Sequence, residues 1–199
     1  MEKCCGTIPR MGFLSKLFGT SKPAKPYVDA GMRLTHGLIQ NLRLEGWENM
    51  LPVYSPGEIE VIERELASFQ HIADDKMGGK AVFHPELIGQ IQRPLIADAL
   101  RKYAARDWRF TNKKELPADW KLRVSTFLKA WAGGLNPNCL LEMAEMLAMA
   151  GYKTEAKDAL EVVLLFPTYA HKFYGGSDED GVLANGIVNQ AKEALQTLN

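Results

Sequence analysis

Apolar residues recur at spacings of three and four along most of this 199-residue chain, a period that belongs to amphipathic helices. Leu34, Leu38 and Leu42 lie four apart, and Ile39 widens their stripe. They predict a first helix over about 27–44, ended by Gly46 and Pro52. Ser55, Pro56 and Glu58 form the clearest helix start. Serine is a good N-cap, proline suits the first helical position, and the glutamate stands where a capping box needs it. Ile59, Ile62, Leu66, Phe69 and Ile72 continue that helix as a core-facing stripe. Residues 74–84 then read as a loop.

A third helix is expected from Pro85 to about Asp107, carrying Leu87, Ile91, Leu95, Ile96, Leu100 and Tyr103, with a kink or break at Pro94. A fourth runs from near Pro117 to Gly133-Gly134, with Trp120, Val124, Phe127, Leu128 and Trp131 on its apolar side. Two further helices lie between Pro137 and Pro167. A loop holding Tyr169, His171, Phe173 and Tyr174 precedes a last helix from about Gly181 to Leu198, packed through Ile187, Ala191, Ala194, Leu195 and Leu198. Val82-Phe83 and Arg109-Phe110 are too short to count as strands. The predicted fold is all-α, a helical bundle or short α-α superhelix of about six or seven helices.

The stretch from Pro137 to Pro167 has a pattern of its own. Leu140, Met143, Ala144 and Leu147 are followed by Gly151-Tyr152, Ala156 and Leu160, then Pro167. Ala144, Ala148, Ala156 and Ala159 let two antiparallel helices approach closely, and Gly151 suits a left-handed helix end. In residue class and spacing this segment resembles a tetratricopeptide repeat, without the signature Trp and Tyr. The resemblance implies a groove lined by the first helix of the unit. Asn138, Leu141, Glu142, Glu145 and Met149 are its candidate partner-binding residues, with the two carboxylates favouring a basic peptide. A solvated acidic helix face is the plainer reading of Glu142 and Glu145.

Charge alters the picture at one end only. Formal net charge is zero, so the overall balance lacks the basic excess of a nucleic-acid binder. Residues 1–26 nevertheless carry Lys3, Arg10, Lys16, Lys22 and Lys25 against Glu2 alone, and read as a basic flexible tail before a helical domain over 27–199. That domain admits a subdivision into 27–107 and 117–199. Within the tail, Phe13, Leu14, Leu17 and Phe18 share a helical face, flanked by Lys16 and Lys22. They are candidate membrane-contact residues on an anionic surface. Ser21 to Pro26 reads as a linker. Met11 is an alternative start for the chain.

Candidate chemistry is sparse. Cys4, Cys5 and Cys139 make no disulfide framework and favour a reducing cytoplasm. Cys139 reads as a buried thiol. Gly78-Gly79-Lys80 lacks the spacing of a phosphate loop. His71, Asp74 and Asp75, with His84 across a loop, form a conceivable metal set that a polar helix terminus explains equally. Trp108, Arg109, Trp120, Arg123 and Trp131 suit an interaction surface or a core with flanking charges. For Trp120 and Trp131 the core is favoured. No run is long enough to span a membrane. The sequence thus points to a non-enzymatic interaction or adaptor protein that binds a protein or peptide, with no cofactor and no nucleic-acid partner. The alternatives are a peripheral membrane adaptor held by residues 11–22 and a metal-binding protein or enzyme.

Overall fold

A computed structural model describes residues 25–77, 85–108, 115–173 and 178–198. These form eight α-helices: α1 (Lys25–Leu42), α2 (Pro56–Met77), α3 (Pro85–Ala105), α4 (Trp120–Gly134), α5 (Pro137–Met149), α6 (Lys153–Leu164), α7 (Phe166–Phe173) and α8 (Asp178–Leu198). A short 3-10 turn spans Glu48–Met50. The described residues contain no strand, and the all-α bundle is as expected.

From α2 to α6, helices adjacent in sequence are adjacent in space. α8 then packs on α6 and α7 and touches α5, while α1 lies against α6, α4 and α7. The core joins Leu34, Leu38 and Leu42 of α1 to Val124, Phe127, Leu128 and Trp131 of α4, Leu140, Met143 and Leu147 of α5, and Ala156, Leu160 and Val163 of α6. Ile187 and Ala191 of α8 complete it. Ala194, Leu195 and Leu198 pack on it from a half-buried position.

The N-terminal half of α1 is held by aromatic packing. The Tyr27 ring lies 6.0 Å from Trp131, 5.6 Å from Phe166 and 5.1 Å from Tyr169, measured between centroids. Its hydroxyl donates to the Leu135 carbonyl at 2.9 Å and accepts from Trp131 Nε1 at 3.0 Å. α1 reaches this depth because Gly31 has no side chain. A Cβ there would stand 2.0 Å from Trp131 Cζ2.

The helix ends follow local chemistry. At the close of α5, Gly151 takes φ +88°, its N–H bonds the Ala148 carbonyl, and the Tyr152 N–H bonds the Leu147 carbonyl, so the helix stops in a Schellman turn. α4 stops at Gly134, as expected, and a left-handed residue follows it. The left-handed residue is Leu135, at φ 52°, after both glycines. Gly134 instead serves packing, because a Cβ on it would meet Ala97 of α3 at 2.7 Å. Arg123 closes α3 from a distance. It donates to the carbonyls of Ala104 and Arg106 while its Nε holds Asp119 at 2.8 Å.

Two boundaries are corrected, and at Pro94 the choice between a kink and a break is narrowed. α2 continues through 74–77, which the sequence assigns to a loop, and residues 78–84 lie outside the description. α3 runs helical through Pro94 without a break. The expected loop around Tyr169 is the helix α7. Pro167 sits in its first turn, where a missing N–H costs nothing, and Tyr169 and Ala170 are buried in the core.

Candidate functional site

α1 and α6 meet along an open trough of about 600 Å³. Its lower surface is apolar. Leu34 and Leu38 of α1 and Val162 of α6 are buried there, and Leu164 and Leu165 are half-buried beside them. The hollow exists because α1 presents small residues beside its leucines. Ala30 and Gly37 are seven apart on one face, and a Cβ built on Gly37 would touch nothing within 4 Å.

The two walls differ in charge. α6 contributes Glu155, Asp158 and Glu161, spaced by three so that they rise along one side. α1 contributes Arg33 and Asn41. Asp158, Glu161, Arg33 and Asn41 are exposed and Glu155 is half-buried. None of the three carboxylates is taken up in an ion pair among the described residues. The trough therefore offers an apolar floor under an acidic wall.

The helices lie antiparallel along it. Tyr27, near the start of α1, touches Phe166 just past the end of α6, and Asn41 and Glu155 belong to the far end of the same lining.

The residues expected to line a groove on α5 are elsewhere. α5 packs between α4 and α6 and touches α8. Glu142 is buried and paired with Arg101 of α3 at 3.0 Å, which corrects its reading as a solvated face. Glu145, Asn138 and Leu141 are half-buried. The Asn138 backbone N–H and side-chain amide both donate to Asn136 Oδ1, the N-cap of α5. Met149 is exposed at the other end. The five thus form no single exposed strip.

Arg101 also holds Asp98, at 3.1 Å, and Lys102 approaches the same carboxylate at 2.6 Å. Burial pushes the Asp98 carboxyl up, but the hydrogen bonds from Lys102 and Arg101 outweigh it and hold it below the ordinary carboxylate value. Nearby Cys139 is sealed from solvent, and burial pushes its thiol up to about 12, so it carries no nucleophile at neutral pH.

The other candidates scatter. His71 and Asp75 stand 3.8 Å apart on the exposed side of α2, and Gln70 donates to Asp74. His84 is outside the description. Among the described residues, no group of three or more His, Cys, Asp or Glu side chains gathers around a point where a metal would sit. Trp131 and Trp108 are buried. Trp120 is half-buried against Tyr152, with ring centroids 5.5 Å apart, and Arg123 caps α3. Arg109, the Gly78-Gly79-Lys80 run and the tail residues Phe13, Leu14, Leu17 and Phe18 lie outside the described residues. Among the described residues no helix is long and apolar enough to cross a membrane.

Sequence reasoning missed the trough. Its signals were present: two small residues seven apart on α1, and three acids three apart on α6. Nothing local says that these two helices, more than a hundred residues apart in the chain, face each other. No protein family, curated protein or solved structure matches the chain, so the site is read from its own chemistry.

Proposed function

We propose that this protein is a non-enzymatic helical interaction module that holds a basic amphipathic segment of a partner protein in the α1–α6 trough. The observation that carries this reading is the pairing of an apolar floor (Leu34, Leu38, Val162 and Leu165) with a wall of three carboxylates that, among the described residues, enter no ion pair. A helix laid in a groove binds through apolar anchors at spacings of three and four, and charges at the rim set its orientation and speed its arrival. On this reading the hairpin between Pro137 and Pro167 contributes its second helix, α6, while its first helix, α5, packs between α4 and α6.

The test uses fluorescein-labelled synthetic peptides sharing one apolar face, with Lys or Glu on the other, titrated by anisotropy. The Lys peptide binds, and the Glu peptide binds at least about tenfold more weakly. Gly37→Phe fills the hollow and removes the binding. Asp158→Lys with Glu161→Lys inverts the preference, since both side chains are exposed and their reversal leaves the core alone. Equal binding of both peptides, or binding untouched by Gly37→Phe, overturns the reading.

A further inference from the structure

We propose that the trough has a built-in occupant, the segment 11–22 of the same chain, which an external partner must displace. The inference rests on the peptide-binding reading of the trough and adds its regulation.

Three observations support it. The first is complementarity. Phe13, Leu14, Leu17 and Phe18 share a helical spacing and match the apolar floor, and Lys16 and Lys22 match Glu155, Asp158 and Glu161. The second is place. α1 starts at Lys25, and Tyr27 lies against Phe166 and Tyr169, beside the Leu164–Leu165 end of the trough. The chain therefore enters the fold at one mouth of the groove.

The third is length. The α1 lining runs from Ala30 to Asn41, about 16 Å of helix. A helix of nine residues, the number from 11 to 19, would span about 14 Å. The five residues between it and α1 have a maximum reach of about 17 Å, enough for a chain to turn back over α1. A short tether also presents the segment at an effective concentration of order millimolar, so weak contacts suffice to hold it. Anionic membrane is the competing destination for the same four apolar residues, and the test separates the two.

The experiment uses the full chain. A zero-length carbodiimide joins lysine to carboxylate only where they touch, and mass spectrometry of a mixture of unlabelled and ¹⁵N-labelled protein tells links within a chain from links between chains. The expected result is intrachain links from Lys16 or Lys22 to Glu155, Asp158 or Glu161. Both Gly37→Phe and the tail variant Leu14→Ser with Leu17→Ser reduce them about tenfold, and the tail variant leaves the helical body unaltered.

Absence of these links overturns the proposal. So does their occurrence only between chains, their indifference to both variants, or flotation on phosphatidylserine vesicles with no trough link in the unbound protein. The Lys-faced synthetic peptide separates this failure from that of the trough itself. It is expected to bind the tail variant about tenfold more tightly than the parent chain. If the peptide binds both proteins equally and no link forms, the tail is not the occupant and the trough reading stands. If it binds neither, both proposals fall.

Discussion

Lys129 Nζ lies 2.8 Å from Glu58 Oε2, and both side chains are sealed from solvent. The same carboxylate accepts the Ser55 backbone N–H at 2.7 Å and the Thr126 hydroxyl through its other oxygen at 2.5 Å. Glu58 therefore closes the capping box of α2 and also neutralises a cation from α4. The ring of Tyr54 stands 5.8 Å from the ammonium on another side. A buried pair satisfied this fully holds its two elements in one relative position.

Removing one partner should be costly. Glu58→Gln leaves the ammonium without its counter-ion and is expected to lower stability by about 3–5 kcal/mol in urea unfolding. Lys129→Met is expected to cost a similar amount, because it strands the carboxylate. The double variant Glu58→Gln with Lys129→Met should recover much of the loss, since neither charge is then buried alone. Additive losses would show that the pair does not act as a unit.

The same carboxylate makes stability fall in acid. Burial pushes Glu58 up, but the hydrogen bonds from Lys129, Thr126 and Ser55 prevail and hold it below the ordinary value of 4.5. The unfolded chain then binds more protons than the folded one as pH drops below that value. Stability present above pH 4.5 is lost as pH falls toward the lower folded value. Asp98 has the same sign. Urea midpoints measured from pH 7 to pH 3 should show this decline, and Glu58→Gln should flatten part of it.

Two glycines of α1 should respond in opposite directions. Gly31→Ala drives a methyl into the Trp131 ring and is expected to cost about 1–3 kcal/mol. Gly37→Ala points into open space and should stabilise the helix by about 1 kcal/mol. Thermal unfolding of the two variants side by side gives the contrast.

The Tyr27 hydroxyl joins α1 to α4 by accepting from Trp131 and donating to Leu135. Tyr27→Phe leaves two buried polar groups unsatisfied and is expected to destabilise by about 1–3 kcal/mol, read by urea unfolding.

Cys139 should resist alkylation in the folded protein. Iodoacetamide at pH 8 reacts with thiolate, and burial keeps this thiol protonated up to about 12. Peptide mapping should find Cys139 unmodified in native protein and fully modified in denaturant.

Much of the helix pattern was legible along the chain. Leu34, Leu38 and Leu42 of α1 face the core as their spacing requires, Ser55 and Glu58 form their capping box, and Gly151 turns left-handed where α5 stops. These are local rules with partners at most a few residues away. The Tyr169 segment misled because its proline reads as a stop, although proline is equally at home in a first turn. Gly134 ends α4 where the sequence places the end, but packing rather than a left-handed cap is its task. Here it makes room for Ala97, whose position no local pattern reveals. The candidate site was the least legible part, because its two walls come from helices more than a hundred residues apart in the chain.

The sequence by itself determined that this protein is helical, where most of its helices begin and end, and which faces of α1, α4, α5, α6 and α8 seek the core; the stripe expected to face the core from α2 does not, since Ile59 and Ile72 are exposed and Ile62, Leu66 and Phe69 only half-buried. What it determined follows from periodicity, caps and backbone freedom, all short-range properties. Only the tertiary structure decided what those faces meet. It turned Glu142 inward to Arg101, gave Glu58 a second task beside Lys129, and set Glu155, Asp158 and Glu161 across a hollow from Gly37. The physical reason is that burial and charge pairing depend on which distant residues share a neighbourhood. Packing makes that choice over the whole chain at once.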